Sequence, residues 1–286
     1  MECLTPQCHS KVVKRGFFRR RGTKEPIQRY YCSCCNKSFS KATTQPAYRQ
    51  HKRHLNRRLI HLICSAVTQR RAARLLGCTR VTVARKVKWL SLQCRIKQAE
   101  FLRRLPVFNE IQFDELETFE HTKCKPLSVP LAVTKKERII LSFSVASMPA
   151  KGKLAKISLK KYGKRKDDRR EHLLKMLKDI KPFVSEETTL TSDECPRYPS
   201  LVRQIFPQNL HVTVKGRRGC IVGQGELKKI GKDPLFYLNH TCAMKRANIS
   251  RLVRRTWATT KDPRSLLDHL AIYTWYHNSR LIKAYY

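Results

Sequence analysis

The sequence predicts an α/β domain with a mixed sheet over residues 99–286, behind two small modules at 1–44 and 50–98. Three observations carry this. Four cysteines near the start have metal-knuckle spacing, residues 55–90 show a helical period, and beyond Pro106 the period becomes alternating.

The first module is anchored by Cys3-x4-Cys8 and Cys32-x2-Cys35, separated by a Gly- and Arg-rich hairpin at 16–27. Four thiolates held tetrahedrally around Zn²⁺ supply the folding energy that a 40-residue ribbon lacks. Phe39 is available to pack on the site, Cys34 competes with Cys35, and His9 is an alternative to Cys8. The remaining cysteines read as small apolar side chains.

Residues 41–54 form a basic linker broken at Pro46. A first helix follows from Leu55. Thr68 then caps a second at 69–76, Gly77 closes it, and Thr79 opens a third at 80–90. Val83, Val87 and Leu90 face inward, which turns Arg80, Thr82, Arg85, Lys86 and Lys88 to solvent. Two short helices around a glycine turn, the second basic, form a helix-turn-helix whose second helix enters a DNA major groove.

Charge supports that partner. The chain carries 61 Lys/Arg against 21 Asp/Glu, a net +40. Residues 1–98 hold 24 Lys/Arg against Glu2 and Glu25 alone. Such a field attracts phosphate backbones. No apolar run approaches a membrane span and the first residues show no signal-peptide pattern, so a cytoplasmic protein working on double-stranded DNA is expected.

A connecting helix at 91–105 leads into the α/β domain. Strands are expected at 111–113, 127–133 and 138–145, then a mobile basic loop at 151–166 and a helix at 167–180. A strand at 188–191, a helix at 196–206, a strand at 211–215, a helix at 239–256 and a closing helix within 259–286 complete the order. Trp257, Trp275 and Tyr276 are assigned to the core. The order βββ-α-β-α-β-α is that of the RNase H-like (retroviral-integrase-like) fold, in which the first and fourth strands are neighbours. Asp114 and Asp193, each just past a strand's apolar run, then face one another at the open rim where such sheets bind ligands. The competing reading makes Asp193 a helix cap.

The ribbon, the helix-turn-helix, the segments Phe113-Asp-Glu-Leu-Glu-Thr-Phe and Thr191-Ser-Asp-Glu-Cys-Pro-Arg-Tyr, and Asn248-Ile-Ser-Arg-Leu-Val-Arg-Arg-Thr together resemble bacterial insertion-sequence transposases of the DDE superfamily. The resemblance is to the group with an N-terminal zinc ribbon and covers nearly the whole chain. It implies that Asp114 and Asp193 are the first two metal-binding aspartates. The family's third acid falls at Asn239, as in the variant group with Asn there; Glu226, 33 residues after Asp193, competes. Arg246 shares the face of Asn239 and suits a phosphate, and His240 and Lys245 are neighbouring candidates for DNA contact.

The resemblance implies phosphoryl transfer with two Mg²⁺ (or Mn²⁺) ions held by Asp114, Asp193 and Asn239. The expected activity is binding of terminal inverted repeats, then strand cleavage and strand transfer, by a homodimer or larger assembly. The alternative is a non-catalytic DNA-binding protein, a regulator or a decayed element. His277-Asn278 invites comparison with HNH nucleases and the C-terminal tyrosines with tyrosine recombinases, but neither reading uses the paired aspartates.

Overall fold

The computed structural model describes residues 2–19, 25–215, 233–253 and 257–285. Two compact units are present, Met1–Leu55 and Asn56–Tyr286.

In the first unit β1 (Val13–Phe18), β2 (Ile27–Cys32) and β3 (Lys37–Ser40) form an antiparallel sheet in that order. Gly16, with φ +65°, sits where the β1–β2 register shifts between Lys14 and Phe17. A left-handed glycine at a bulge twists a ribbon too short for a large core. Phe39 stacks on Tyr30, with ring centroids 6.0 Å apart.

The second unit begins with α1 (Leu55–Ile63), α2 (Gln69–Leu75) and α3 (Arg80–Leu102). The Thr68 and Thr79 hydroxyls accept from the backbone N–H of Arg71 and Thr82, capping α2 and α3. Gly77 closes the turn at φ +58°. The expected break at residue 90 is absent: α3 is one helix of 23 residues that packs on the last helix. Its inward stripe continues through Leu90, Ser91 and Cys94, so no exposed breaker interrupts it.

The larger sheet contains β4 (Glu110–Phe119), β5 (Pro126–Thr134), β6 (Ile140–Phe143), β8 (Thr189–Asp193) and β9 (His211–Val214), in spatial order β6-β5-β4-β8-β9. A short β7 (Ala146–Ser147) also pairs with β5. The β4–β5 and β5–β6 pairs are antiparallel; β4–β8 and β8–β9 are parallel. This mixed sheet, with its first strand central and its fourth and fifth parallel to it, has RNase H-like topology.

One face is covered by α5 (Arg169–Ile180) and α6 (Tyr198–Ile205). Ile111, Phe113 and Leu190 from the strands are buried there with Leu173, Met176, Leu177, Leu201 and Val202. The other face carries α7 (Phe236–Asn248), lying on β4 and β5, while α8 (Pro263–Tyr285) packs on α3 and β6. Asn278, fully buried, completes that junction: its side chain accepts from Ile140 N–H at 3.0 Å and donates to Ile140 C=O at 2.9 Å.

Three expectations need correction. The basic stretch 151–166 is not a free loop but contains α4 (Leu154–Tyr162), tied by Ser158 Oγ to Cys124 C=O at 2.7 Å. The helix expected at 239–256 starts three residues earlier and stops at Asn248, because Ile249 adopts extended backbone (φ −108°, ψ 108°). Trp257, assigned to the core, is fully exposed.

Candidate active site and metal centre

In the first unit the two knuckles converge. The Sγ atoms of Cys3, Cys8, Cys32 and Cys35 all lie within 4.8 Å of one another, with Cys3 to Cys35 at 3.5 Å and Cys8 to Cys32 at 3.7 Å. Tetrahedral ligands about 2.3 Å from zinc stand roughly 3.8 Å apart, so the set fits that ion. The Thr5 hydroxyl, aided by its N–H, holds the Cys3 thiol below its usual range and does the same for Cys35. The backbone N–H of Ser10 acts likewise on Cys8. Thiolates are the zinc-binding form. Cys34 is exposed, and neither it nor His9 joins the cluster.

On α3 the outward residues are Arg80, Arg85 and Lys88. Thr82 is half-buried, its hydroxyl 3.0 Å from Thr79 Oγ1 at the helix cap. Lys86 corrects the expectation: it is buried, and its Nζ donates to Asn56 Oδ1 at 2.8 Å. It lies three residues after Val83 and four before Leu90, on the inward stripe.

The sheet brings Asp114 and Asp193 together. Gln112 pairs with Thr191 across the parallel β4–β8 ladder. Two residues onward, at equal parity, come Asp114 and Asp193, on neighbouring strands and on the same face. Burial first, and then the negative charge of Asp193, push the Asp114 carboxyl up to about 6. Its Oδ1 accepts from Glu115 N–H at 2.6 Å and from the buried Tyr198 hydroxyl at 3.1 Å. Asp193 Oδ1 accepts from Cys195 N–H at 3.1 Å, closing the turn after β8. It does not cap α6, which begins at Tyr198 without a side-chain cap. Two half-buried carboxylates that repel one another suit a hard divalent cation, which takes oxygen ligands and neutralises both.

Several of these supports were not predicted. Glu115 accepts from Arg197 Nη2 at 2.5 Å and from Ser128 Oγ at 2.6 Å. Gln112, fully buried, donates to Pro234 C=O at 2.8 Å and accepts from Leu238 N–H at 3.2 Å, which pins the start of α7 over β4. The available signal was a glutamine at the parity of Asp114, in a run otherwise read as apolar.

On α7, Leu238, Thr241, Cys242 and Lys245 face inward. Cys242 is buried on the stripe of α7 that lies over β4 and β5. Asn239, three residues before Cys242, and Arg246, four after it, fall on the same flank. Asn239 is exposed and its Nδ2 donates to Asp233 Oδ2 at 2.9 Å. Because a carboxylate only accepts, this orientation leaves Oδ1 as the acceptor. Lys245 is a second correction. It is fully buried rather than exposed, with Nζ 5.1 Å from the Phe143 ring centroid and no hydrogen-bond partner among the described residues. His240 Nδ1 lies 2.6 Å from Arg138 Nη1. Glu226, Cys220, Arg254 and Arg255 lie outside the described residues. His277 meets Arg138 C=O through Nε2 at 2.9 Å, so both members of the His277-Asn278 pair serve the fold.

No protein-family model and no curated protein matches the chain. Among solved structures it is similar to the catalytic domain of Mos1 mariner transposase, at 12% identity over 70% of this chain and 89% of that one, with a TM-score of 0.32. The Mos1 paired end complex with Mn is similar at 11% identity over 83% and 78%, TM-score 0.30. The Mos1 strand transfer complex is similar at 10% identity over 83% and 77%, TM-score 0.31. Among the described residues no helix is long and apolar enough to cross a membrane.

Proposed function

We propose that this chain is a DNA transposase whose catalytic centre is Asp114, Asp193 and Asn239. The observation that carries the reading is the placement of Asp114 and Asp193 at equal parity on adjacent parallel strands, where burial and then the charge of Asp193 raise the Asp114 carboxyl. Asp114 and Asp193 are assigned to hold Mg²⁺ or Mn²⁺, and Asn239 to offer Oδ1 as a neutral third ligand. When bound, such ions activate an attacking oxygen and stabilise a leaving one at a phosphodiester. Tyr198 and Glu115 N–H orient Asp114 for that task. Arg246, on the Asn239 flank, suits a DNA phosphate.

The narrower reading is an insertion-sequence transposase with a zinc ribbon and asparagine at the third position. It is supported by the four-thiol cluster and by the place of Asn239 on α7. Recognition of terminal inverted repeats is assigned to residues 1–98, with Arg80, Arg85 and Lys88 as the exposed bases. Two transposon ends require two copies, so a homodimer on DNA in the cytoplasm is part of the proposal.

The test is incubation of the chain with duplex DNA containing the element's ends and Mg²⁺ or Mn²⁺. Cleavage and joining by the wild type, abolished in Asp193→Ala, are expected. Equal cleavage by both would overturn the reading and favour a DNA-binding protein. Asn239→Ala should lose more strand transfer than Asn239→Asp or Asn239→Glu; equal activity in all three rejects Asn239.

A further inference from the structure

Residues 151–166 hold eight Lys/Arg and no acid. Within them α4 is held by its inner side. Ser158, buried, donates to Cys124 C=O at 2.7 Å, and Lys125 Nζ sits 4.8 Å from the Tyr162 ring centroid. Past the helix, Arg165 donates to Met148 C=O and to Ser147 Oγ, and pairs with Glu120 at 3.6 Å.

These ties set the rotation of the helix. At about 100° per residue, Lys153, Lys156 and Lys160 fall within roughly 60° of one another, on the side opposite Ser158. Lys153, the N-cap, already has helical backbone (φ −56°, ψ −26°). All three are exposed, and no acidic partner meets them among the described residues. The nearby acids are taken by other cations: Glu117 by Lys151, Glu120 by Lys125 and Arg165, and Asp168 by Lys166. Like charges on one helix face repel, and a polyanion removes that cost.

We infer that this lysine stripe is a second contact for double-stranded DNA, gripping phosphates independently of α3; the inference rests on the DNA reading above. From Lys153 to Lys160 the stripe runs about 10 Å, the axial length of roughly three phosphates of one strand. It stands beside the end of β4 beyond Asp114, where Glu117 and Glu120 lie three and six residues past that aspartate.

The experiment measures duplex affinity of the full chain against salt concentration. The compared proteins are wild type, Lys153→Gln/Lys156→Gln/Lys160→Gln, the same three changed to Arg, and Lys178→Gln/Lys181→Gln/Arg203→Gln on the α5–α6 side. The α4 glutamine variant should bind about ten-fold or more weakly at 150 mM salt, with a log–log slope shallower by roughly 2.7. The arginine variant should keep the wild-type slope, and the α5–α6 variant should change it little. An α4 glutamine variant with the wild-type slope, or one no shallower than the α5–α6 control, overturns this inference alone. A wild type that fails to bind duplex DNA overturns the proposed function as well.

Discussion

The Tyr198 hydroxyl lies 3.1 Å from Asp114 Oδ1 and 3.4 Å from Glu115 Oε2, so one buried phenol bridges the candidate metal ligand to the carboxylate beside it. Tyr198 opens α6, five residues after Asp193, and thereby couples the two strands that carry the site.

Removing that donor in Tyr198→Phe leaves the ring packed on Phe113 but frees Asp114 to turn. A hydrogen bond to a charged group contributes about 1.5–3 kcal/mol, so single-turnover cleavage should slow roughly 10- to 100-fold. The melting temperature should move by only a few degrees. An unchanged rate over a range of Mg²⁺ concentrations would show that Tyr198 does not position Asp114.

Asp114 yields a prediction with opposite signs for stability and activity. Its carboxyl is raised to about 6 from an ordinary 3.8, so the folded protein binds this proton more tightly than the unfolded chain. Stability from this group is therefore present at acid pH and lost as pH rises from about 4 through 6. Asp114→Asn should raise stability at pH 7 by up to about 3 kcal/mol while abolishing cleavage. The gain should vanish below pH 4, and denaturant titrations at pH 4 and 7 measure it.

Zinc removal is expected to act on the first unit, which carries the four-thiol cluster. A strong chelator should release one zinc per chain and unfold Met1–Leu55, leaving the second unit's far-ultraviolet signal intact. Cys32→Ser should lose the metal, whereas Cys34→Ser, at an exposed thiol outside the cluster, should retain it. Metal analysis with proteolysis of the amino-terminal unit reads both outcomes.

Lys245 has its ammonium buried without a hydrogen-bond partner among the described residues, and burial lowers it from 10.5 to about 8. The unfolded chain thus binds the proton more tightly, and stability rises with pH from 8 to about 10.5. Lys245→Met keeps the length of the side chain and should stabilise the protein by about 3 kcal/mol at pH 7, an advantage that disappears near pH 10.5. Thermal melts at the two pH values decide it.

The cysteine knuckles, the capped helix pair, the strand order and the nearness of Asp114 to Asp193 on neighbouring strands were legible in the residues alone. Each of these is written locally, in ligand spacing, in a threonine before a helix or in an apolar run of period two. Which side chains turn inward emerged only once the elements packed together. Lys86 and Lys245 carry the charge expected of DNA contacts, yet each lies on a buried stripe whose direction is set by the element packed against it. The docking of α4 includes a hydrogen bond between residues 34 apart, and the support of Asp114 comes from a tyrosine 84 residues away. Such contacts follow from the closure of the sheet, and no local pattern encodes them.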